Sequence, residues 1–144
     1  MASDVRISDA RANAALNALF GTAANSGILR IYVGALSAGT PAAPAGALLA
    51  ELTMMPVAFG VAEPSTSFSR IAAAAIADDS SANSSGDAGC FVLWDSAGTT
   101  ALMAGTAGAA VDSADMTLDN KTISAGATVS CSAFYVQVPK GWST

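Results

Sequence analysis

Asp95 and Ser96 place a carboxylate beside a hydroxyl directly after Trp94. A serine becomes a nucleophile only when a neighbouring base, most often histidine, takes its proton. The sequence contains no histidine, which removes Ser–His and Cys–His pairs and most zinc, copper and haem sites from this chain. Aspartate, serine and glycine are typical of a chain reversal, in which Asp95 accepts backbone hydrogen bonds and Gly98 takes a positive φ. We therefore predict a hairpin turn at residues 95–98, without catalysis by Ser96.

A second candidate site is the polar segment 78–89, whose side-chain oxygens are of the kind that calcium prefers. The segment lacks the alternating acids and the closing glutamate of an EF-hand loop, which favours a solvated loop over a calcium site. Its oxygen-bearing side chains include Asp78, Asp79, Ser80, Asn83, Ser85 and Asp87. The sequence also has no phosphate-binding glycine loop and no dinucleotide fingerprint. We expect no catalytic, cofactor-binding or metal-binding residues.

The two cysteines, Cys90 and Cys131, lie in apolar, strand-like segments without metal-binding spacing. A free cysteine in such a setting behaves as a small core residue. The N-terminal residues include acids where a signal peptide needs a basic and then an apolar region, so we expect a chain that is made and kept in the cytoplasm, or released from it by lysis. In that reducing compartment, two buried thiols are favoured over a disulfide.

The composition indicates one folded domain, residues 1–144, with a thin core. Hydrophobic residues make up 52% of the chain, but 34 of the 144 residues are alanine. Because only 12% of residues are charged, a folded chain is favoured over disorder. The net charge is −5, and the six basic residues are scattered, which argues against nucleic-acid binding. The longest apolar run, residues 71–77, is too short to cross a membrane.

The sequence indicates one helix, at residues 8–20. Ser8 is a suitable N-cap, and Gly21 can close the C-terminus. The helix follows a polar N-terminal arm, and together they span about residues 1–21. We expect the arm and the helix to contact other subunits as well as the domain body. The predicted apolar stripe consists of Ala12, Ala15, Leu16, Leu19 and Phe20.

The sequence after the helix predicts short strands separated by turns. This pattern is typical of an all-β, antiparallel, jelly-roll-like β-sandwich. The longest predicted strand, 127–138, changes its inward face midway, which suggests a bulge or a crossing between sheets. The predicted strands are 28–33, 47–54, 57–59, 68–77, 90–94, 99–105, 116–118 and 127–138. The predicted core includes Leu29, Ile31, Val33, Leu49, Phe91, Leu93, Leu102, Val129 and Val136.

As a whole, the chain resembles small virion proteins encoded near the capsid genes of tailed bacteriophages. The phrases that carry the resemblance are DARANAALNALFG (9–21), GILRIYVG (27–34), GALLAELT (46–53), FVLWDSAGTTALMAGTAG (91–108) and MTLDNKTISAGATVSCSAFYVQVP (116–139). They are composition and turn patterns rather than catalytic signatures.

The resemblance implies a capsid cement, or decoration, protein that is not an enzyme and has no cofactor. Its implied partners are the major capsid protein and further copies of itself, as a homodimer or another homo-oligomer, without nucleic acid or membrane. Its implied location is the capsid exterior of the virion, after assembly in the host cytoplasm. Two alternatives stay open, namely a tail or fibre-base component and, less favoured, an enzyme or small-ligand-binding sandwich.

Overall fold

The computed structural model describes residues 6–36, 38, 43–112, 114–131 and 133–140, and it shows a predominantly β fold with one α-helix. Residues 1–5, which form most of the predicted N-terminal arm, lie outside the described residues. The predicted helix is confirmed as α1, Asp9–Phe20. Ser8 precedes it with extended backbone, although its side chain makes no capping hydrogen bond.

Helix α1 buries a narrower stripe than the sequence predicts. Ala12, Leu16 and Phe20 are buried, at a strict spacing of four residues. Ala15 is exposed and Leu19 is 59% exposed, so the predicted stripe is wrong at both positions. The helix contacts a three-stranded sheet, and only the i, i+4 seam reaches the core. Leu16 and Phe20 therefore serve the domain body.

A seven-stranded sheet forms the larger part of the domain. Its strands are β1 (Ile28–Val33), β2 (Leu48–Met54), β5 (Ile76–Ala77), β6 (Gly86–Trp94), β7 (Ala101–Ala109), β8 (Met116–Leu118) and β9 (Thr122–Ile123). The order is β5-β2-β1-β6-β7-β8, and β9 also pairs with β6. The pairs are antiparallel except β7 with β8, which run parallel, so the expectation of a purely antiparallel arrangement is wrong. A short 3-10 helix, Ala110–Asp112, lies between these two strands and lets the chain return in the same direction.

A three-stranded antiparallel sheet forms the other part. Its strands are β3 (Glu63–Pro64), β4 (Phe68–Ala72) and β10 (Tyr135–Pro139), in the order β10-β4-β3. The predicted strand 68–77 is split, because β4 belongs to this sheet and β5 to the larger one. The predicted long strand 127–138 is also divided. Val129 bridges to Asp79, and the chain then crosses to the smaller sheet as β10, as the change of face suggested.

Most other strand boundaries differ modestly from prediction. Strands β1 and β8 match their predicted ranges, and β2 starts one residue late. Segment 57–59 is not a strand, since it contributes only an isolated bridge from Phe59 to Ala73. Strands β6 and β7 are each nine residues long. Strand β6 ends as predicted but starts at Gly86, and β7 starts later than predicted, at Ala101, and continues to Ala109.

One core joins α1 and both sheets. Six of the nine predicted core residues are buried, namely Leu29, Ile31, Leu49, Phe91, Leu93 and Val129. The other three, Val33, Leu102 and Val136, are partly buried and pack against this core. Three aromatic contacts link its layers, between Phe20 and Phe59, Phe59 and Phe134, and Phe134 and Phe91.

Both cysteines are buried and free, as predicted. Cys131 lies in the main core, whereas Cys90 lies in a second apolar cluster. Burial raises the pKa of both thiols. The protonated form, which is a weak nucleophile, is therefore favoured in each case.

An ion pair between the buried Lys140 and the exposed Asp9 ties the end of β10 to the start of α1. The Lys140 side chain is 3% exposed, and its Nζ lies 2.6 Å from Asp9 Oδ1. The same ammonium also donates to the backbone oxygen of Ser65, before β4. Beside it, the Ile7 amide donates to the Lys140 carbonyl at 3.0 Å. The entry to α1, the turn before β4 and the exit of β10 are thus held at one point.

We expect Asp9→Ala to lower the free energy of unfolding by about 1–3 kcal/mol, because it leaves the buried ammonium without its carboxylate. Lys140→Met keeps an apolar stem without a charge and should cost less. Adding Asp9→Ala to Lys140→Met should then cost almost nothing further. Urea unfolding measures all three, with Lys121→Ala, from the exposed Lys121–Asp112 pair, as a control expected to cost under about 0.5 kcal/mol. Additive costs would contradict the coupling.

Candidate interaction surface

The structure confirms the hairpin turn at residues 95–98. It joins β6 to β7, and Gly98 has the expected positive φ of 68°. Asp95 Oδ1 accepts from the amides of Thr99 at 2.9 Å and Thr100 at 3.1 Å. Ser96 is exposed at the tip of the turn. The carboxylate therefore organises the reversal, since Oδ1 accepts from two backbone amides and Oδ2 accepts from the Thr99 hydroxyl.

The polar segment 78–89 also uses its oxygens to bind the chain itself. Asp79 Oδ2 accepts from the Glu51 amide and Oδ1 from the Ser81 amide. Asp87 Oδ1 accepts from the Thr122 hydroxyl at 2.7 Å, and its end of the segment belongs to β6. Within the described ranges, no three Asp, Glu, Cys or His side chains lie together where they could hold a metal ion. The side chains of this segment therefore bind the neighbouring strands β2 and β9.

The outer face of the larger sheet carries a cluster that sequence analysis did not anticipate. The cluster consists of Tyr32, Cys90, Val92 and Trp94, and all four are buried. The Arg30 guanidinium lies 5.5 Å from the Trp94 ring centroid and covers that ring. The central strand β6 is thus buried on both faces.

Arg30 is held over the cluster by two hydrogen bonds. Its Nε donates to Glu51 Oε2 at 2.7 Å, and its Nη1 donates to the Gly98 carbonyl at 3.3 Å. The bond to Glu51 is the main cause that raises the pKa of Arg30. Glu51 and Arg30 face each other across β1 and β2. Alternation along β1 indicated the outward face of Arg30, but its partners could not be paired from sequence.

Residues 55–61, hereafter the apolar loop, expose three large apolar side chains. Val57 is 66% exposed, Val61 is 78% exposed, and Met55 is also exposed. Between them, Ala58 and Phe59 are buried and anchor the loop in the core.

Hydrogen bonds from the helical region fix the backbone of the apolar loop. Asn25 Oδ1 accepts from the Ala58 amide at 3.0 Å, and Asn17 Oδ1 accepts from the Ala62 amide at 3.0 Å. The Ser26 amide donates to the Met55 carbonyl at 2.9 Å. The loop therefore presents apolar side chains on a backbone held by these hydrogen bonds. The sequence pattern predicts a strand at 57–59 and gives no sign of this loop.

Comparison with known proteins identifies no relative, since no family model, curated protein or solved structure matches the chain. Among the described residues, no helix has the length and apolar character needed to span a membrane.

The hydrogen bonds from Thr99 and Thr100 hold the pKa of Asp95 below its ordinary value of 3.8. The ionised form is therefore favoured by folding, and its contribution to stability is present above the unfolded-state pKa and lost as the pH falls through the folded value. We expect Asp95→Ala to destabilise the protein more at about pH 7 than at about pH 2. Urea unfolding at both values checks this, with Ser96→Ala as the control. A carbon-13 titration that placed the Asp95 pKa at or above 3.8 would contradict the assignment.

Arg30→Ala should lower the free energy of unfolding by about 1–3 kcal/mol, because stacking, ion pairing and stem packing over Trp94 are all lost. Arg70→Ala is the matched control. Its guanidinium lies 5.6 Å from the ring centroid of Tyr135, which is 54% exposed. That change should cost about 0.5 kcal/mol. Equal costs in thermal or urea unfolding would refute the role of Arg30 as the cover of the second cluster.

Proposed function

We propose that this chain is a non-enzymatic structural protein of a tailed-bacteriophage virion. In this proposal it binds the major capsid protein on the outside of the shell and stabilises it as a cement protein. The observation that carries the proposal is the apolar loop, with three large apolar side chains exposed on a fixed backbone. The sequence resemblance supplies the identity of the partner.

A held apolar loop suits binding to an assembled lattice. Side chains that are already ordered lose little conformational freedom on association, so more of the apolar burial appears as affinity. A protein that binds the assembled shell better than its free subunits stabilises that shell by mass action. Since the loop carries no charged side chain, its contact with the capsid should depend weakly on salt.

The proposal includes a jelly-roll-like sandwich and self-association on the capsid. The two sheets and the core that they share support the sandwich arrangement. Leu19, exposed beside the buried seam of α1, supports a further contact from the helix. A self-complementary apolar surface favours a twofold dimer.

Single substitutions in the apolar loop test the contact directly. We expect Val57→Asp and Val61→Asp each to weaken binding to capsids that lack the protein by about tenfold or more, because a charge is buried in an apolar contact. Val111→Asp is the matched control, since Val111 is 89% exposed on the 3-10 helix and far from the apolar loop in the chain. Co-sedimentation with such capsids, at low and high salt, measures binding. Release by moderate salt alone, or equal binding by all variants, would argue against the loop.

The number of copies in each virion tests the wider function. Quantitative mass spectrometry of the phage that encodes the chain should give a copy number in proportion to the capsid lattice. Particles without the protein should rupture at a lower temperature, and adding it back should restore them. A few copies in each particle, with unchanged shell stability, would favour the tail or fibre-base alternative, and absence from the virion would refute both.

A further inference from the structure

Strand β10 has a free edge in the described part of the chain. The Ala73 amide donates to the Phe134 carbonyl, and the Lys140 amide donates to the Ser67 carbonyl. The register between β10 and β4 is regular, so even-numbered residues of β10 bond to β4. The backbone N–H and C=O groups of Tyr135 and Gln137 consequently point away from β4. Pro139 has no N–H, so it limits pairing at the far end of this edge.

Strand β7 has a free edge of the same kind before β8 begins. Strand β8 pairs only with Ala107–Ala109, at the end of β7. The Thr106 amide points away from β6, because it donates to Asp115 Oδ2 at 2.8 Å. By alternation, the N–H and C=O groups of Ala104 also point outward. The Asp115 carboxylate thus satisfies the outward amide of Thr106, whereas the outward N–H and C=O groups of Ala104 stay open.

These two edges face a common groove of about 320 Å³. Residues 134–137, in and directly before β10, and residues 103–105 of β7 line it together. Phe91 and Phe134 form its floor, with ring centroids 5.6 Å apart in an edge-on arrangement. A second groove of about 310 Å³ continues from it past Asp115 and Asp119. The combined groove is apolar at its floor and acidic at one rim.

We propose that this groove receives an extended segment of the partner polypeptide, which pairs with β10 and β7 as an added strand. Exposed backbone groups along a strand edge recognise extended chain, and the aromatic floor takes apolar side chains at alternate positions. The acidic rim favours a lysine or arginine near one end of the segment. The partner named here is the capsid subunit, so this inference rests on the proposed function. The apolar loop and the groove are then two separate contacts with the same shell.

A proline substitution isolates the backbone contribution. Gln137→Pro removes the outward N–H but leaves the bonds from Val136 and Val138 to β4 in place. Gln137→Ala removes the same side chain and keeps the N–H. We expect Gln137→Pro to bind capsids about tenfold more weakly than Gln137→Ala, since an edge hydrogen bond is lost and the ring obstructs pairing. Asp119→Asn should weaken binding less than Gln137→Pro does. Thermal unfolding confirms that each variant is folded.

Hydrogen exchange on the wild-type protein gives a second, independent readout. The amides of Ala104, Tyr135 and Gln137 should exchange rapidly in the isolated protein and become protected on decorated capsids. If wild type binds capsids while these amides stay unprotected and both Gln137 variants bind equally, the groove is not the contact, although the proposed function stands. If wild type does not bind capsids at all, both proposals fall.

Two other occupants give distinct results. Protection of Tyr135 and Gln137 in the isolated protein at every concentration would show that a segment of the same chain fills the groove. Protection that appears with a concentration-dependent dimer, and is lost in Gln137→Pro, would show pairing between two copies. Either result overturns the proposal.

Discussion

Burial of one strand, β6, on both faces is the constraint on which the rest of the structure depends. Phe91 and Leu93 enter the main core, whereas Cys90, Val92 and Trp94 lie on the opposite side of the same sheet. A chain in which alanine dominates the apolar residues has few large side chains with which to build a second layer. Trp94, Tyr32 and the aliphatic stem of Arg30 cover this outer face of the sheet instead. The long Arg30 side chain thus takes the place of a second packed layer.

Polar side chains also link segments that lie far apart in this alanine-rich chain. Carboxylates and amides join distant segments in addition to the shared apolar core. Asp79 links β2 to the segment before β6, Asn17 and Asn25 fix the apolar loop, and Lys140 joins the last strand to the first helix. Each of these side chains satisfies backbone groups or a charge that would otherwise be unpaired near the core.

The groove and the apolar loop both lie where strand pairing is incomplete. Among the described residues, strand β8 pairs only with the end of β7, and β10 pairs only with β4. A groove therefore lies between β7 and β10. Asp115 and Pro139 limit the open edges by satisfying or removing backbone donors. The apolar loop lies in the connection between β2 and β3. Both candidate contacts thus arise where regular pairing stops.

Local features of this protein followed from sequence because neighbouring residues determine them. Helix 9–20, strands 28–33 and 116–118 and the turn at 95–98 depend on short-range periodicity, turn chemistry and the freedom of Gly98 at positive φ. The absence of histidine excluded imidazole chemistry in this chain without any structure.

Only the tertiary structure decided the parallel pair β7–β8, the exposure of Leu19, the apolar loop and the partners of Arg30. The crossing of segment 127–138 between sheets was hinted at by its change of face, but its division was not predictable. The Lys140–Asp9 pair joins residues 131 positions apart, and no local pattern encodes that contact. Such features depend on which distant surfaces meet, whereas periodicity and turn chemistry report only on neighbouring residues.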